Sequence, residues 1–417
     1  MQTLNNLKES QLMPSDNQKK ITVLGSTGSV GKNTLDIIRQ FPKKFQVYAL
    51  SCQNSTSLLA DQIREFHPKI ASVRSRNDAK NLQESFPDTK LVWGSDSLSD
   101  IASNKEVDVL VAGIVGAAGL KPTFSAALEG KTIVFANKEP LVMAGELFVK
   151  TAKDTGAVLL PADSEHNAIF QSIQKESSEK ISKLVLTASG GPFRDRPLNK
   201  FKQITVNETL NHPTWKMGNK ISVDSATMMN KGLEIIEARW LFNTPVEKIK
   251  VVIQRESIVH SMVEFCDGSF LAHMGPPDMR IPISYCLGWP ERLNIKISHM
   301  NPLNLKKLHF EPVNLKKFPC LQLSLNAAIK EGSFPAVLNG ANEEVVSAFL
   351  KEKIKFLDIY KTLSLVMKKL GKIIKTFEKE NIPPYLSNIA NLADAIEADQ
   401  WGRKQAKKII EQLNYMI

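Results

Sequence analysis

The sequence predicts an α/β fold in three parts: a mostly parallel sheet covered by helices, a mixed α+β segment, and a C-terminal helical bundle. Three observations predict it. Short apolar runs alternate with helix-spaced stretches from Ile21 to Ala136. Further strands, including a hairpin turned by Cys266-Asp267-Gly268, follow from Lys183. From Leu321 onward the apolar spacing is helical throughout. The expected divisions are a disordered lead-in over 1–20, a sheet domain over 21–162, a second domain over 163–288, a linker over 289–318 and a helical domain over 319–417.

In chain order, the first domain is predicted to hold strands at 21–25, 46–51, 70–73, 107–112 and 132–136, with helices at 30–40, 57–66 and 121–129. The first strand turns into the first helix through Gly25-Ser26-Thr27-Gly28-Ser29-Val30-Gly31. Glycines at such a turn let the backbone approach a pyrophosphate, and the helix N-terminus favours its charge. The spacing is G-x-x-G-x-x-G, a variant of the Rossmann fingerprint, and its place at the start of an alternating sheet favours dinucleotide binding over a plain tight turn. After the second strand stands Ser51-Cys52-Gln53-Asn54, without an acid to hold a ribose 2′-hydroxyl. That leans towards NADPH, with Arg74 and Arg76 as helpers. Asn137, Lys138 and Glu139 end the strand at 132–136, where open α/β sheets place their ligands.

An apolar run at 157–160 leads into Pro161-Ala162-Asp163-Ser164-Glu165-His166. If the strand continues, Asp163 and Glu165 share a face and call for a hard divalent cation such as Mg²⁺ or Mn²⁺. Alternatively, Ser164 caps a helix that starts at Glu165. Residues 221–240 read as one long helix, on which Asn230 and Glu234 share a face and Lys231 lies three residues from Glu234. Glu234 offers a third carboxylate, and Ser225, Asn230 and Lys231 offer donors suited to phosphate. A strand at 183–188 ends in Ser189-Gly190-Gly191, which can form a backbone nest for an anion. The polar stretch 194–211 leads to His212-Pro213-Thr214-Trp215-Lys216-Met217-Gly218, which reads as a lid tipped by Trp215 and Met217. Strands at 258–265 and 269–274 and a helix at 278–287 follow, then an irregular linker. The C-terminal helices are expected at 321–331, 336–351, 356–377 and 389–413.

The totals exclude several classes. With 42% hydrophobic and 23% charged residues in 417, the chain is of ordinary globular composition. Its formal charge is +11, and residues 301–417 carry 18 Lys and Arg against 12 Asp and Glu, spread along helical patterns. Such faces can attract an anionic substrate; no nucleic-acid recognition motif accompanies them. The polar N-terminus lacks the apolar core of a secretory signal, and the longest apolar run, 109–120, is too short to span a bilayer. Cys52, Cys266, Cys286 and Cys320 form no C-x-x-C pair and suggest reduced thiols in a cytoplasmic setting.

GSTGSVG, ANKE, PADSEHNAIFQ, LTASGGPFR, HPTWKMGNKISVDSATMMNKGLEIIEA and IVHSMVEFCDGS, in that order, resemble the 1-deoxy-D-xylulose 5-phosphate reductoisomerase family from about Ile21 to the C-terminus. The resemblance implies an NADPH- and metal-dependent enzyme that converts 1-deoxy-D-xylulose 5-phosphate to 2-C-methyl-D-erythritol 4-phosphate in the non-mevalonate isoprenoid route. It implies metal ligation by Asp163, Glu165 and Glu234, and contact of Lys138 and Ser164 with the substrate's oxygenated backbone. Ser189, His212, Ser225, Asn230 and Lys231 match contacts mainly at the phosphate end. Thr27, Gly28, Ser29, Val30, Asn137, Glu139 and Gly218 match NADPH contacts, Cys52, Gln53 and Asn54 stand where the 2′-phosphate is read, and Trp215 and Met217 match the lid. Family members are V-shaped homodimers. At Cys52-Gln53 the chain departs from the family's Gly followed by a basic residue. The competing semialdehyde dehydrogenase reading needs an activated cysteine, and none of the four stands in a convincing setting.

Overall fold

The computed structural model describes residues 18–173, 176–215, 217–305, 307–376 and 382–414. Most of the expected lead-in, residues 1–17, lies outside them; Lys19 and Lys20 already belong to the first strand. The chain falls into two compact units. The first comprises residues through Pro140, Phe148–Asn167 and Asp278–His299, and the second comprises Leu141–Leu147, Ala168–Pro277 and Met300 onward.

In chain order the elements are β1 (Lys19–Leu24), α1 (Ser29–Gln40), β2 (Phe45–Ser51), α2 (Thr56–Phe66), β3 (Ile70–Val73), α3 (Arg76–Ser85), β4 (Lys90–Trp93), α4 (Ser95–Ser103), β5 (Val109–Ala112), α5 (Leu120–Leu128), β6 (Thr132–Phe135), α6 (Glu139–Thr155), β7 (Val158–Pro161) and α7 (Ser164–Ser172). They continue with β8 (Ile181–Ala188), α8 (Val206–Leu210), α9 (Asn219–Thr227), α10 (Met229–Leu241), β9 (Ile249–Gln254), β10 (Val259–Phe265), β11 (Phe270–Met274), α11 (Arg280–Gly288), β12 (Phe310–Pro312), α12 (Pro319–Lys330), α13 (Phe334–Leu350), α14 (Phe356–Thr376), α15 (Pro384–Ser387) and α16 (Leu392–Asn414).

The first unit is built on a seven-stranded sheet of order β4-β3-β2-β1-β5-β6-β7. Every pairing in it is parallel. Strand order reverses between β1 and β5, the crevice at which doubly wound sheets bind ligands. Because the strands are parallel, the carboxyl ends of β1, β2, β6 and β7 share one edge. The central strands are apolar and buried, as a sheet covered on both faces requires. α11 rejoins this unit against α1, β6 and β7, and Arg280 ties it to Asp36 of α1 at 3.1 Å.

The second unit carries a five-stranded sheet of order β11-β10-β8-β9-β12. β8 and β9 are parallel and the other pairs antiparallel. α10 packs on α12, where Gly232 leaves no room for a side chain against Ser324. Phe193, Phe201, Phe349 and Phe356 form an edge-to-face cluster, with Phe193 and Phe356 centred 5.3 Å apart. No helix among the described residues is long and apolar enough to cross a membrane.

Two expectations are corrected, and a third stretch gains structure. Residues 221–240 are two helices, broken at Met228, which takes a left-handed φ of 61°. The expected linker is not structureless: Phe310–Pro312 pairs antiparallel with β9, and residues 289–299 belong to the first unit. The polar stretch 194–211 contains a 3₁₀ turn over Leu198–Gln203 and then α8, opened by a capping box between Thr205 and Glu208.

Candidate active site

In the first unit, the glycine turn forms a cradle at the end of β1. Gly25 has φ +74°, and a Cβ there would stand 2.9 Å from the Gly113 carbonyl oxygen. A Cβ on Gly31 would overlap the backbone of Ser26. The loop is anchored from β2, since the Ser26 amide donates to the Ser51 carbonyl at 2.9 Å and the Gly25 amide donates to Ser51 Oγ at 2.9 Å. Gly28 caps α1 without a side-chain partner, no acid stands in its first turn, and Gly28 and Ser29 are exposed. A helix N-terminus left open this way fits a pyrophosphate, with Thr27 and Val30 half-buried beside it. Cys52 is buried at the end of β2, while Gln53 and Asn54 are exposed. Arg76, considered as a helper, lies over the Trp93 ring, 5.9 Å from its centroid.

Two more sequence-predicted groups stand at the same sheet edge. Asn137 follows β6, donates to the Gly116 carbonyl at 3.1 Å and accepts from the Glu139 amide at 3.2 Å, so its side chain braces the loop. Lys138 is buried and pairs with Asp163 Oδ2 at 2.7 Å. The strand into Asp163 stops at Pro161, so the extended reading of Asp163 to Glu165 is corrected. α7 starts at Ser164 itself: the Asp163 carbonyl accepts the first helical bond from the Asn167 amide at 2.8 Å, and Glu165 lies in the first turn. Both carboxylates thus stand at a positive helix end, and Ser164 Oγ donates to Glu165. A donor set of carboxylate oxygens fits a hard divalent cation.

In the second unit, β8 delivers Ser189, Gly190 and Gly191, both glycines at positive φ. A Cβ on Gly191 would stand 2.8 Å from the Ser225 carbonyl oxygen, so the turn rests on the end of α9 and brings Ser189 and Ser225 together. His212 joins this group. Its Nδ1 accepts from the amides of Thr214 at 3.2 Å and Trp215 at 2.9 Å. Nε2 therefore carries the proton and donates to Ser189 Oγ at 2.9 Å, which also accepts from the Gly191 amide at 3.1 Å. With both lone pairs of Oγ engaged, the Ser189 hydroxyl is set as a donor. Burial, then the nearby Arg194 charge, pushes the His212 imidazolium down to about 4.

A depressed histidine destabilises the fold under acid: the unfolded chain binds the proton first, from pH 6.5 downward. The expected result is a thermal midpoint that falls as pH drops from 6.5 towards 4, with a shallower fall in His212→Gln. Parallel pH profiles of the two proteins would remove the assignment.

Glu234 in α10 accepts from both Asn230 and Lys231, and Lys231 and Glu234 are 3% and 1% exposed. The break at Met228 puts Ser225 on α9 and Asn230, Lys231 and Glu234 on α10, so one continuous helix does not fix their relative positions. Trp215 and Met217 are half-buried; Lys216 between them lies outside the described residues. The Trp215 ring lies 6.3 Å from that of His260, a residue the sequence reading passed over although it sits in the quoted hairpin motif. Gly218 opens α9.

The three buried cysteines argue against thiol catalysis. Burial, with Asp78 adding, pushes the Cys52 thiol up to about 11; burial and Asp224 push Cys320 up to about 12. The Cys286 thiol is raised still further by complete burial. Protonated thiols at neutral pH are poor nucleophiles.

Comparison with known proteins gives three consecutive family matches: 1-deoxy-D-xylulose 5-phosphate reductoisomerase over residues 21–145, its C-terminal domain over 159–242, and the DXP reductoisomerase C-terminal domain over 274–405. The chain belongs to the 1-deoxy-D-xylulose 5-phosphate reductoisomerase family. A reductoisomerase of Thermodesulfovibrio yellowstonii is 45% identical over 94% of this chain and 99% of its own. One of Trichlorobacter lovleyi is 45% identical over 95% and 98%. Among solved structures, a DOX-P reductoisomerase in complex with NADPH, fosmidomycin and magnesium superposes with a TM-score of 0.88 at 42% identity, covering 95% of this chain and 99% of that one. The Zymomonas mobilis reductoisomerase in complex with NADPH gives 0.86 at 38%, covering 94% and 99%. The parallel sheet and the helical C-terminal region are thus those of this family.

Proposed function

We propose that the chain rearranges and reduces 1-deoxy-D-xylulose 5-phosphate to 2-C-methyl-D-erythritol 4-phosphate, using NADPH and a divalent cation. The observation that carries this reading lies within the first unit: Asp163, Glu165 and Lys138 stand at the same sheet edge as the glycine cradle. That arrangement supports a metal beside a nucleotide. In this reading Asp163, Glu165 and Glu234 hold Mg²⁺ or Mn²⁺. Thr27, Gly28, Ser29 and Val30 hold the pyrophosphate, with Asn137, Glu139 and Gly218 also on the cofactor, and Cys52, Gln53 and Asn54 border its 2′-phosphate. Bound metal supplies Lewis acidity at the ketose carbonyl, and bound NADPH supplies the hydride.

The chain's own groups do the positioning. Ser189 offers its hydroxyl proton to a phosphate oxygen, because His212 and Gly191 occupy its lone pairs. Ser225, Asn230 and Lys231 add donors to the same anion. Lys138 and Ser164 orient the substrate's hydroxyls. Trp215 and Met217 close over the substrate and exclude water, so binding at the phosphate end assembles the reacting geometry. Trp215→Ala is expected to raise KM for the phosphosugar about tenfold. Unchanged steady-state kinetics would refute the lid.

The working form in this reading is a cytoplasmic homodimer: the edge strand β11 exposes Phe270 and Leu271, a surface that a second copy would cover. The test is NADPH oxidation with 1-deoxy-D-xylulose 5-phosphate, with and without Mg²⁺ or Mn²⁺, and with NADH in parallel. Metal-dependent oxidation establishes the reaction, and the NADPH-to-NADH ratio measures what Cys52-Gln53 does. Folded, metal-loaded protein without oxidation overturns it.

A further inference from the structure

We infer that Asn342 and Lys220 are positioning residues, which hold α9 in register through the buried carboxylate of Asp224 and so set the phosphate donors. Asp224 stands one residue before Ser225 and is 1% exposed. A carboxylate that deep needs donors, and two are supplied from different places. Lys220, one turn earlier on α9, pairs with one Asp224 oxygen at 2.9 Å. Asn342, fully buried on α13, donates Nδ2 to the other at 2.8 Å. Lys220 also reaches Glu343, the next residue on α13, at 3.4 Å.

The geometry gives this contact more than a structural consequence. α9 is only 9 residues long, and its C-terminal end is released from α10 by the left-handed Met228. Its position therefore depends on side contacts rather than on helical continuity. On one side the Ser225 carbonyl fits against Gly191, where no Cβ could enter. On the other side Asp224 is tied to α13. A shift of α9 moves Ser225 and the Ser189-Gly190-Gly191 turn together, so Asn342 acts on a phosphate it never touches. The helical C-terminal region thereby contributes to substrate affinity from a residue that shares no face with the ligand.

The inference rests on the proposed function, and a matched control separates it from general loss of stability. Asn339, one turn earlier on α13 and equally buried, makes the same kind of bond at 2.9 Å to Asp399 of α16 instead of to α9. Asn342→Ala is expected to raise KM for 1-deoxy-D-xylulose 5-phosphate about tenfold, the scale of a lost hydrogen bond to a charged group, while kcat and KM for NADPH stay near wild type. Lys220→Met, at a less buried position, is expected to move KM in the same direction and decides the matter if Asn342→Ala fails to fold. Asn339→Ala is expected to lower thermal stability as much as Asn342→Ala and to leave KM unchanged. A KM for Asn342→Ala and Lys220→Met no higher than that of Asn339→Ala, beside a raised KM in Ser225→Ala, overturns this inference alone. Wild-type protein without turnover overturns the functional reading and the inference with it.

Discussion

In Glu234→Gln, turnover falls by roughly 10²–10³-fold, the scale of losing a group that stabilises charge at the reacting centre, while NADPH affinity stays at the wild-type value. Glutamine keeps the shape and one acceptor for Asn230, so packing in α10 is conserved. It removes a negative charge from a position only 1% exposed, beside a Lys231 that is itself buried. Two consequences follow, and they are separable. Loss of the Glu234 charge beside buried Lys231 lowers stability, read as a drop in thermal midpoint. Loss of a metal ligand raises the Mg²⁺ concentration needed for half-maximal rate and lowers the rate at saturation. If the midpoint falls but turnover at saturating Mg²⁺ is near normal, Glu234 is a salt-bridge partner for Lys231 and no more. NADPH binding is spared because the cradle at α1 is built from residues of the first unit.

Gly31→Ala acts at the other end of the chemistry. The added methyl would overlap the Cα and carbonyl of Ser26. Ser26 cannot yield, because its amide donates to the Ser51 carbonyl, its hydroxyl donates to Gln62 Oε1 at 2.7 Å and its carbonyl accepts from Gln62 Nε2 at 3.0 Å. The first turn of α1 must therefore lift from the loop, and overpacking of this kind costs about 1–3 kcal/mol. The open end of α1 at Ser29 then moves away from the loop that is proposed to hold the pyrophosphate. Affinity for NADPH is expected to weaken by about tenfold or more, measured by fluorescence titration without substrate. A Gly31→Ala protein that binds NADPH as wild type would show that the loop tolerates the shift and does not need the close approach.

Much of this was legible because period and punctuation agreed. The strands at the core of the parallel sheet are short apolar runs between polar or glycine-containing turns, and the glycine turn has the place and spacing of a phosphate cradle. What escaped was decided by contacts distant in sequence. Nothing local marks Met228 as a helix break: no Gly or Pro stands beside it, and the apolar period runs unbroken through it. α3, β4 and α4 escaped because residues 74–106 are polar, and β4 has a single fully buried residue, Leu91. β12 is three residues paired across more than fifty positions to β9. Of the two readings of Asp163 to Glu165, strand alternation fails because Pro161 ends the strand, and the helix reading holds with its start one residue earlier, at Ser164. The Thr205–Glu208 capping box was readable and went unread. The bond between Lys138 and Asp163, and the double acceptance at His212 Nδ1, have no sequence signal at all.

Three of the four thiols are buried, and Cys266 alone is exposed, in the turn between β10 and β11. For a maleimide, the native chain therefore presents a single address. A fluorophore can be placed there without removing any other cysteine. Because β10 and β11 lead back from that turn to His260 and His273, the latter with its ring 6.0 Å from the former, the dye would ride on the hairpin whose base underlies Trp215.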